Sequence, residues 1–186
     1  MMRKNKDLKK IVFIVAVLII VSLLGIFCAK ILLNKSSEMN YEEKIFTIRG
    51  DSMSPLLKDG DKVKILLDYY DENEVKRDDV VLVEFSWRED PILKIIKGLP
   101  GDELEIKTSE GGFNIFINNQ ILTNSGGVSY ITDSKGANLL GLYAKDYNGK
   151  IPDGAYLLLG DDYLGSLDST DFGLIGKSNL KGKVIG

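Results

Sequence analysis

The pattern of apolar and polar positions divides this chain in two. Residues 11–29, IVFIVAVLIIVSLLGIFCA, carry no charge, and Ile31 to Leu33 prolong the run past Lys30. About 20 such residues suffice for a helix to cross the hydrocarbon core of a bilayer, so the run predicts one membrane-spanning helix over 11–33. A cleaved secretory leader has a shorter apolar core, about 7 to 15 residues, followed by small residues. Ala29-Lys30-Ile31 does not supply that ending, so the helix reads as an uncleaved anchor.

After the anchor the period changes. Residues 34–43 are mostly polar and predict a linker, and from residue 44 apolar residues alternate or come in short runs, the signature of strands. Strands are predicted over Lys44–Ile48, Lys62–Leu67, Val80–Phe85, Pro91–Ile96, Leu104–Lys107, Phe113–Ile117, Gln120–Leu122 and Ala155–Leu159. Tyr69–Asp79 reads as a charged loop, about 124–154 as a Gly-, Ser- and Asn-rich insertion, Gly160–Gly173 as an acidic loop, and Leu174–Val184 as a basic tail. The fold class is therefore mostly β: a domain over 44–186 with a small insertion subdomain, preceded by one N-terminal transmembrane helix.

Charge gives the chain an orientation. Residues 1–10 hold Arg3, Lys4, Lys6, Lys9 and Lys10 against Asp7, whereas residues 34–47 hold Lys35 and Lys44 against Glu38, Glu42 and Glu43. The basic flank predicts a cytoplasmic N-terminus and an extracytoplasmic domain at the cell membrane. From residue 34 onward 18 Lys and Arg face 26 Asp and Glu, a net charge of -8, which excludes the basic face that nucleic acid requires. Phe85 and Trp87, just ahead of the Pro91–Ile96 strand, are candidates either for the membrane interface or for the core.

Composition narrows the chemistry further. One cysteine, Cys28, permits no intrachain disulfide, and the absence of histidine removes Ser-His-Asp and Cys-His mechanisms and disfavours a zinc site. The acidic residues Asp161, Asp162, Asp168 and Asp171 fail the EF-hand spacing, because Tyr163 and Gly165 stand at the third and fifth ligand places. No metal and no cofactor are expected.

A hydroxyl nucleophile without histidine can use a lysine as its base, provided an apolar setting lowers the lysine pKa from about 10.4. Lys94, inside Pro91-Ile92-Leu93-Lys94-Ile95-Ile96, meets that demand best. On pattern alone an edge-strand lysine facing solvent fits as well. Ser52, in Arg49-Gly50-Asp51-Ser52-Met53-Ser54-Pro55, stands among residues that also build ordinary turns. Ser178-Asn179-Leu180-Lys181 offers a serine and lysine at close spacing but no apolar pocket.

Three ordered stretches carry a resemblance: Gly50-Asp51-Ser52-Met53-Ser54-Pro55, then Lys94-Ile95-Ile96-Lys97-Gly98-Leu99-Pro100-Gly101-Asp102, then Gly160-Asp161-Asp162-Tyr163-Leu164-Gly165-Ser166-Leu167-Asp168-Ser169-Thr170-Asp171-Phe172-Gly173. Behind a single anchor they resemble the type I signal peptidases, family S26, in their short Gram-positive-like form. The resemblance implies a signal-peptidase-like β-sheet catalytic domain. It implies Ser52 as nucleophile and Lys94 as base, with the oxyanion held by the Ser52 N–H near Gly50. It further implies that Ser166 orients the lysine and that Asp168 supports the same wall, with Gly160 and Asp161 in that motif. Ile48, Met53, Leu57, Ile92 and Leu93 would line the pockets for small substrate residues. Partners implied are exported preproteins with signal peptides, the lipid bilayer and the secretion translocon. Ile95 and Thr170 stand where the family has arginine, Leu56 where threonine is common, and Asp162-Tyr163 where it has Asn-Arg. These departures leave Asp168 without its ion pair, and with it the alternative of a non-catalytic or narrow-range factor in secretion or pilus assembly. A self-cleaving repressor of the LexA type shares the first motif, but here an anchor precedes it and no helix-turn-helix region is evident.

Overall fold

The computed structural model describes residues 17–28, 41–162 and 164–186. The chain divides into two units, residues 1–40 and residues 41–186. In the first, residues 17–28 are helical (α1), and Leu18, Leu23 and Phe27 each leave about 60% of their surface exposed. Among the described residues no helix is long and apolar enough to cross a membrane. The rest of the expected anchor, 11–16 and 29–33, lies outside the described residues, as do the basic segment 1–10 and residues 34–40 of the linker.

The second unit is built on two antiparallel sheets. The first is assembled from β1 (Glu43–Thr47), β2 (Lys62–Leu67), β3 (Val80–Val83), β4 (Ile92–Gly98), β9 (Ala155–Leu159), β10 (Ile175–Gly176) and β11 (Leu180–Val184), in the order β1-β2-β11-β3-β4-β9-β10. The second has β5 (Leu104–Ser109), β6 (Gly112–Ile117), β7 (Gln120–Ile121) and β8 (Ile131–Thr132). Among the described residues three α-helices, α2 (Tyr69–Glu72), α3 (Ser134–Asp146) and α4 (Ser169–Phe172), and a 3-10 turn at Lys177–Asn179 complete it.

Alternation explains the outer strands. In β2, Val63 and Ile65 are buried while Lys62 and Lys64 face solvent. β4 and β9 read instead as continuous apolar runs because both faces are covered. One cluster gathers Val81, Val83, Ile96 and Leu158, and another gathers Ile48, Met53, Val63, Leu82 and Ile95. A third joins Leu157 and Leu159 to Leu104, Ile115 and Ile117 of the second sheet. Gly98 allows that junction, since a Cβ there would lie 2.4 Å from Ile151 Cδ1 and 2.8 Å from Leu157 Cβ.

Three expectations from the sequence are corrected. Leu174–Val184 is no tail: it contains β10 and β11, and β11 lies between β2 and β3 inside the large sheet. Its strand character is hidden because Gly182 replaces an apolar residue, a Cβ there being only 2.7 Å from Ile65 Cγ2 and from the Leu66 carbonyl oxygen. The 124–154 stretch contains the 13-residue α3, whose N-cap Asp133 accepts a hydrogen bond from the Gly136 N–H. Gly136 lowers its helix propensity but is imposed by packing, with Thr132 Oγ1 2.1 Å from where a Cβ would be. The charged Tyr69–Asp79 segment begins with the single turn of α2, which buries Tyr70.

Candidate active site

Ser52 lies in the connection between β1 and β2, and backbone bonds close that connection at its base. The Ile48 N–H donates to Asp61 O at 2.8 Å, and the Gly60 N–H donates to Ile48 O at 3.0 Å. Gly50, at φ 79°, takes the left-handed conformation that glycine tolerates best. Its N–H is committed to the Asp59 carboxylate at 2.7 Å, so Gly50 shapes the turn and has no free donor there. The Ser54 N–H donates to Asp51 O at 2.8 Å and the Leu57 N–H to Met53 O at 2.8 Å, winding the chain tightly around Ser52. The Ser52 N–H donates no hydrogen bond among the described residues.

Lys94 comes from the middle of β4, opposite Val81 of β3, and is 1% exposed. Its Nζ lies 3.4 Å from Ser52 Oγ and donates to Leu93 O at 2.8 Å. Burial brings its pKa down from 10.5 to about 8; Asp168 pulls it back up, and Arg88 adds a smaller downward push. At pH 7 about one such lysine in eleven is neutral, against about one in three thousand at the ordinary value. As an ammonium Nζ donates to Ser52 Oγ; as an amine it accepts the serine proton.

Asp168 is 5% exposed and caps α4. It accepts hydrogen bonds from the Gly160 N–H at 3.1 Å, the Thr170 N–H at 3.0 Å and the Thr170 hydroxyl at 2.9 Å. Burial raises its pKa, while these donors and Lys94 oppose the rise. Thr170 therefore braces, through its hydroxyl, the carboxylate that lacks an arginine. Ile95 is 3% exposed in the core, where a guanidinium would lack water.

Asp161 is fully buried and joins the Ser52 turn to the 124–154 segment. Its carboxylate accepts from the Leu56 N–H at 2.9 Å, the Ser125 N–H at 2.8 Å and the Ser125 hydroxyl at 2.5 Å. Asn124 Nδ2 donates to Asp161 O at 3.0 Å, and the Asp162 N–H donates to Ser52 O at 3.2 Å. Ser166 packs beside this junction: a Cβ on Gly160 would stand 2.0 Å from Ser166 Oγ and 2.5 Å from Ser52 O. Ser166 Oγ has no hydrogen-bond partner among the described residues and does not bond Lys94.

A groove of about 490 Å³ opens beside Ser52, with Ile48, Met53, Ile92 and Leu93 on its walls. Leu57, expected among them, packs instead against the core cluster that holds Ile48 and Met53. Arg49, Arg88 and Asp90 add charge to the rim, and no periodicity in the sequence singled them out. Of the two aromatics ahead of β4, Phe85 is 8% exposed in the core and Trp87 is 59% exposed. Among the described residues no three His, Cys, Asp or Glu side chains are placed to hold a metal.

Residues 8–185 match the model of the family described as signal peptidase, peptidase S26. Signal peptidase IB of Staphylococcus aureus is 30% identical over 146 residues, covering 75% of this chain and 74% of that protein. Signal peptidase I of Bacillus licheniformis is 28% identical over 141 residues, 74% of this chain and 72% of its own length. A crystal structure of a signal peptidase I from Enterococcus faecalis V583 aligns with a TM-score of 0.45 at 22% identity, covering 61% of this chain and 98% of that one. A family match that omits only the two ends of the sequence, and a relative 30% identical over three quarters of it, place this chain among the S26 signal peptidases.

Proposed function

We propose that this chain is a membrane-anchored serine endopeptidase that removes N-terminal signal peptides from exported preproteins on the outer face of the membrane, with Ser52 as nucleophile and Lys94 as general base. The observation that carries the reading is the 3.4 Å approach of a fully buried lysine to a serine hydroxyl at the mouth of a groove. The neutral amine takes the Ser52 proton as Oγ attacks the scissile carbonyl. The lysine then returns that proton to the departing amine, which leaves an acyl-enzyme on Ser52. In the second half Lys94 takes a proton from water, the hydroxide attacks the ester, and Ser52 recovers its proton.

The Ser52 N–H is the oxyanion donor in this scheme, and Gly50 serves by holding the turn that presents it. A preorganised donor of this kind is worth about a hundredfold to a thousandfold in rate. Ser166 packs against Gly160 at the edge of the site, and Asp168 holds the ammonium form that appears in each half-reaction. Ile48, Met53, Ile92 and Leu93 take small side chains of the signal peptide, with Leu57 backing their wall. In this reading residues 11–33 serve as the anchor, with residues 1–10 in the cytoplasm and the bilayer and translocon as neighbours.

The test is cleavage of an exported preprotein in detergent by the wild-type chain, Ser52→Ala and Lys94→Ala. Each substitution is expected to remove cleavage, by a factor of about 10³ or more, in a protein that still folds. Equal cleavage by all three sinks the assignment.

A further inference from the structure

The groove beside Ser52 is edged by two guanidiniums, Arg49 and Arg88, and neither forms an ion pair among the described residues. They stand in a region that from residue 34 holds 18 basic against 26 acidic residues, so the site locally reverses the charge of its own domain. Asp90 also edges the groove, which leaves two cations against one anion there. Arg88 is held in place: its Nε donates to the Asp90 carbonyl oxygen at 3.1 Å, and its guanidinium carbon lies 5.9 Å from the centre of the Trp87 ring. Both Nη groups remain open for a bidentate carboxylate, and a restrained arginine loses little freedom on accepting one.

We infer that Arg49 and Arg88 make this peptidase selective for extended substrates carrying an acidic side chain within about three residues of the scissile bond, a reach of roughly 10 Å along a strand. The preference rests on the cleavage reaction proposed above and adds a charged determinant to its small apolar pockets. The walls formed by Ile48, Met53, Ile92 and Leu93 thin the water around such a pair. A partly exposed pair of this kind is expected to contribute about a fivefold preference.

The experiment uses the full chain in detergent with peptides that span a small-residue cleavage site and bear Glu or Gln in turn at each of three positions on either side. The readout is the Glu/Gln ratio of kcat/KM for each protein. Wild type is expected to give a ratio of about five or more at one position or several, shrinking in 1 M salt. The ratio should fall to about one in Arg49→Gln/Arg88→Gln and to a value between one and that of wild type in Arg49→Lys/Arg88→Lys, which keeps the charge and loses the fork. A wild-type ratio of one at every position, or a ratio unchanged in the double Gln variant, overturns the selectivity while leaving the peptidase standing. Failure of the wild-type chain to cut any peptide overturns both.

Discussion

A lysine serves as a base only where something strips its proton near neutral pH, and for Lys94 that agent is burial. With a pKa of about 8, kcat/KM on an uncharged peptide is expected to climb with pH through a midpoint near 8. The two charges that act on the amine give the midpoint a sign test. Asp168 favours the ammonium form, so Asp168→Asn should move the midpoint down; Arg88 disfavours it, so Arg88→Gln should move it up. The pH profiles of the two variants check both directions. A midpoint that ignores both substitutions removes Lys94 from the role of base. Thr170 belongs to this scale as well: where an ion pair would hold Asp168, a hydroxyl and two backbone N–H groups do so, a lighter brace that leaves Lys94 as the cation acting on that carboxylate.

At the scale of elements, the Ser52 turn is held from two sides, by β2 beneath it and by Asp161 against the 124–154 segment. Asp161→Ala would remove the acceptor of the Leu56 N–H, the Ser125 N–H and the Ser125 hydroxyl, part-buried bonds that contribute about 1 kcal/mol each. Both the urea midpoint and the cleavage rate should fall, whereas Ser125→Ala, which removes one hydroxyl, should cost about 1 kcal/mol. A cleavage rate untouched by Asp161→Ala would show that the clamp does not position Ser52. A buried Lys94 was one of two readings that its apolar run allowed, whereas Ser52 and Asp168 were singled out by the resemblance of their motifs. The strands up to β7, and β9, were legible from alternation or from short apolar runs to within a residue or two. β11 and α3 were not, since Gly182 and Gly136 are there for close approach by distant chain and weaken the local pattern. Arg88, Asn124 and Ser125 reach the site through loop geometry, which leaves no period to read. Leu57 and Gly50 show the converse: adjacency to Ser52 in sequence brought one to the core and committed the other's N–H to Asp59.

At the scale of the whole chain, residues 41–186 hold all three apolar clusters and both sheets. A chain lacking residues 1–40 should therefore unfold cooperatively in urea and still cut a soluble peptide, while no longer partitioning with lipid vesicles. Removal of Leu180–Gly186 should instead abolish the cooperative transition, because β11 joins β2 to β3 and the Ile185 N–H closes on Lys64 O at 2.8 Å. A truncated chain that retained both the transition and cleavage would contradict the place given to β11.

That placement also sets a timetable. Ser52 arrives with β1 and β2, Lys94 with β3 and β4, and the strand that brings the two hairpins side by side follows both in the sequence. Non-local pairing of this kind is slow and waits on the full chain. Until β11 has emerged, the growing polypeptide holds a hydroxyl and an amine on two hairpins that no strand yet joins. The pairing of β11 with β2 and β3 is thus the step that completes the proposed dyad.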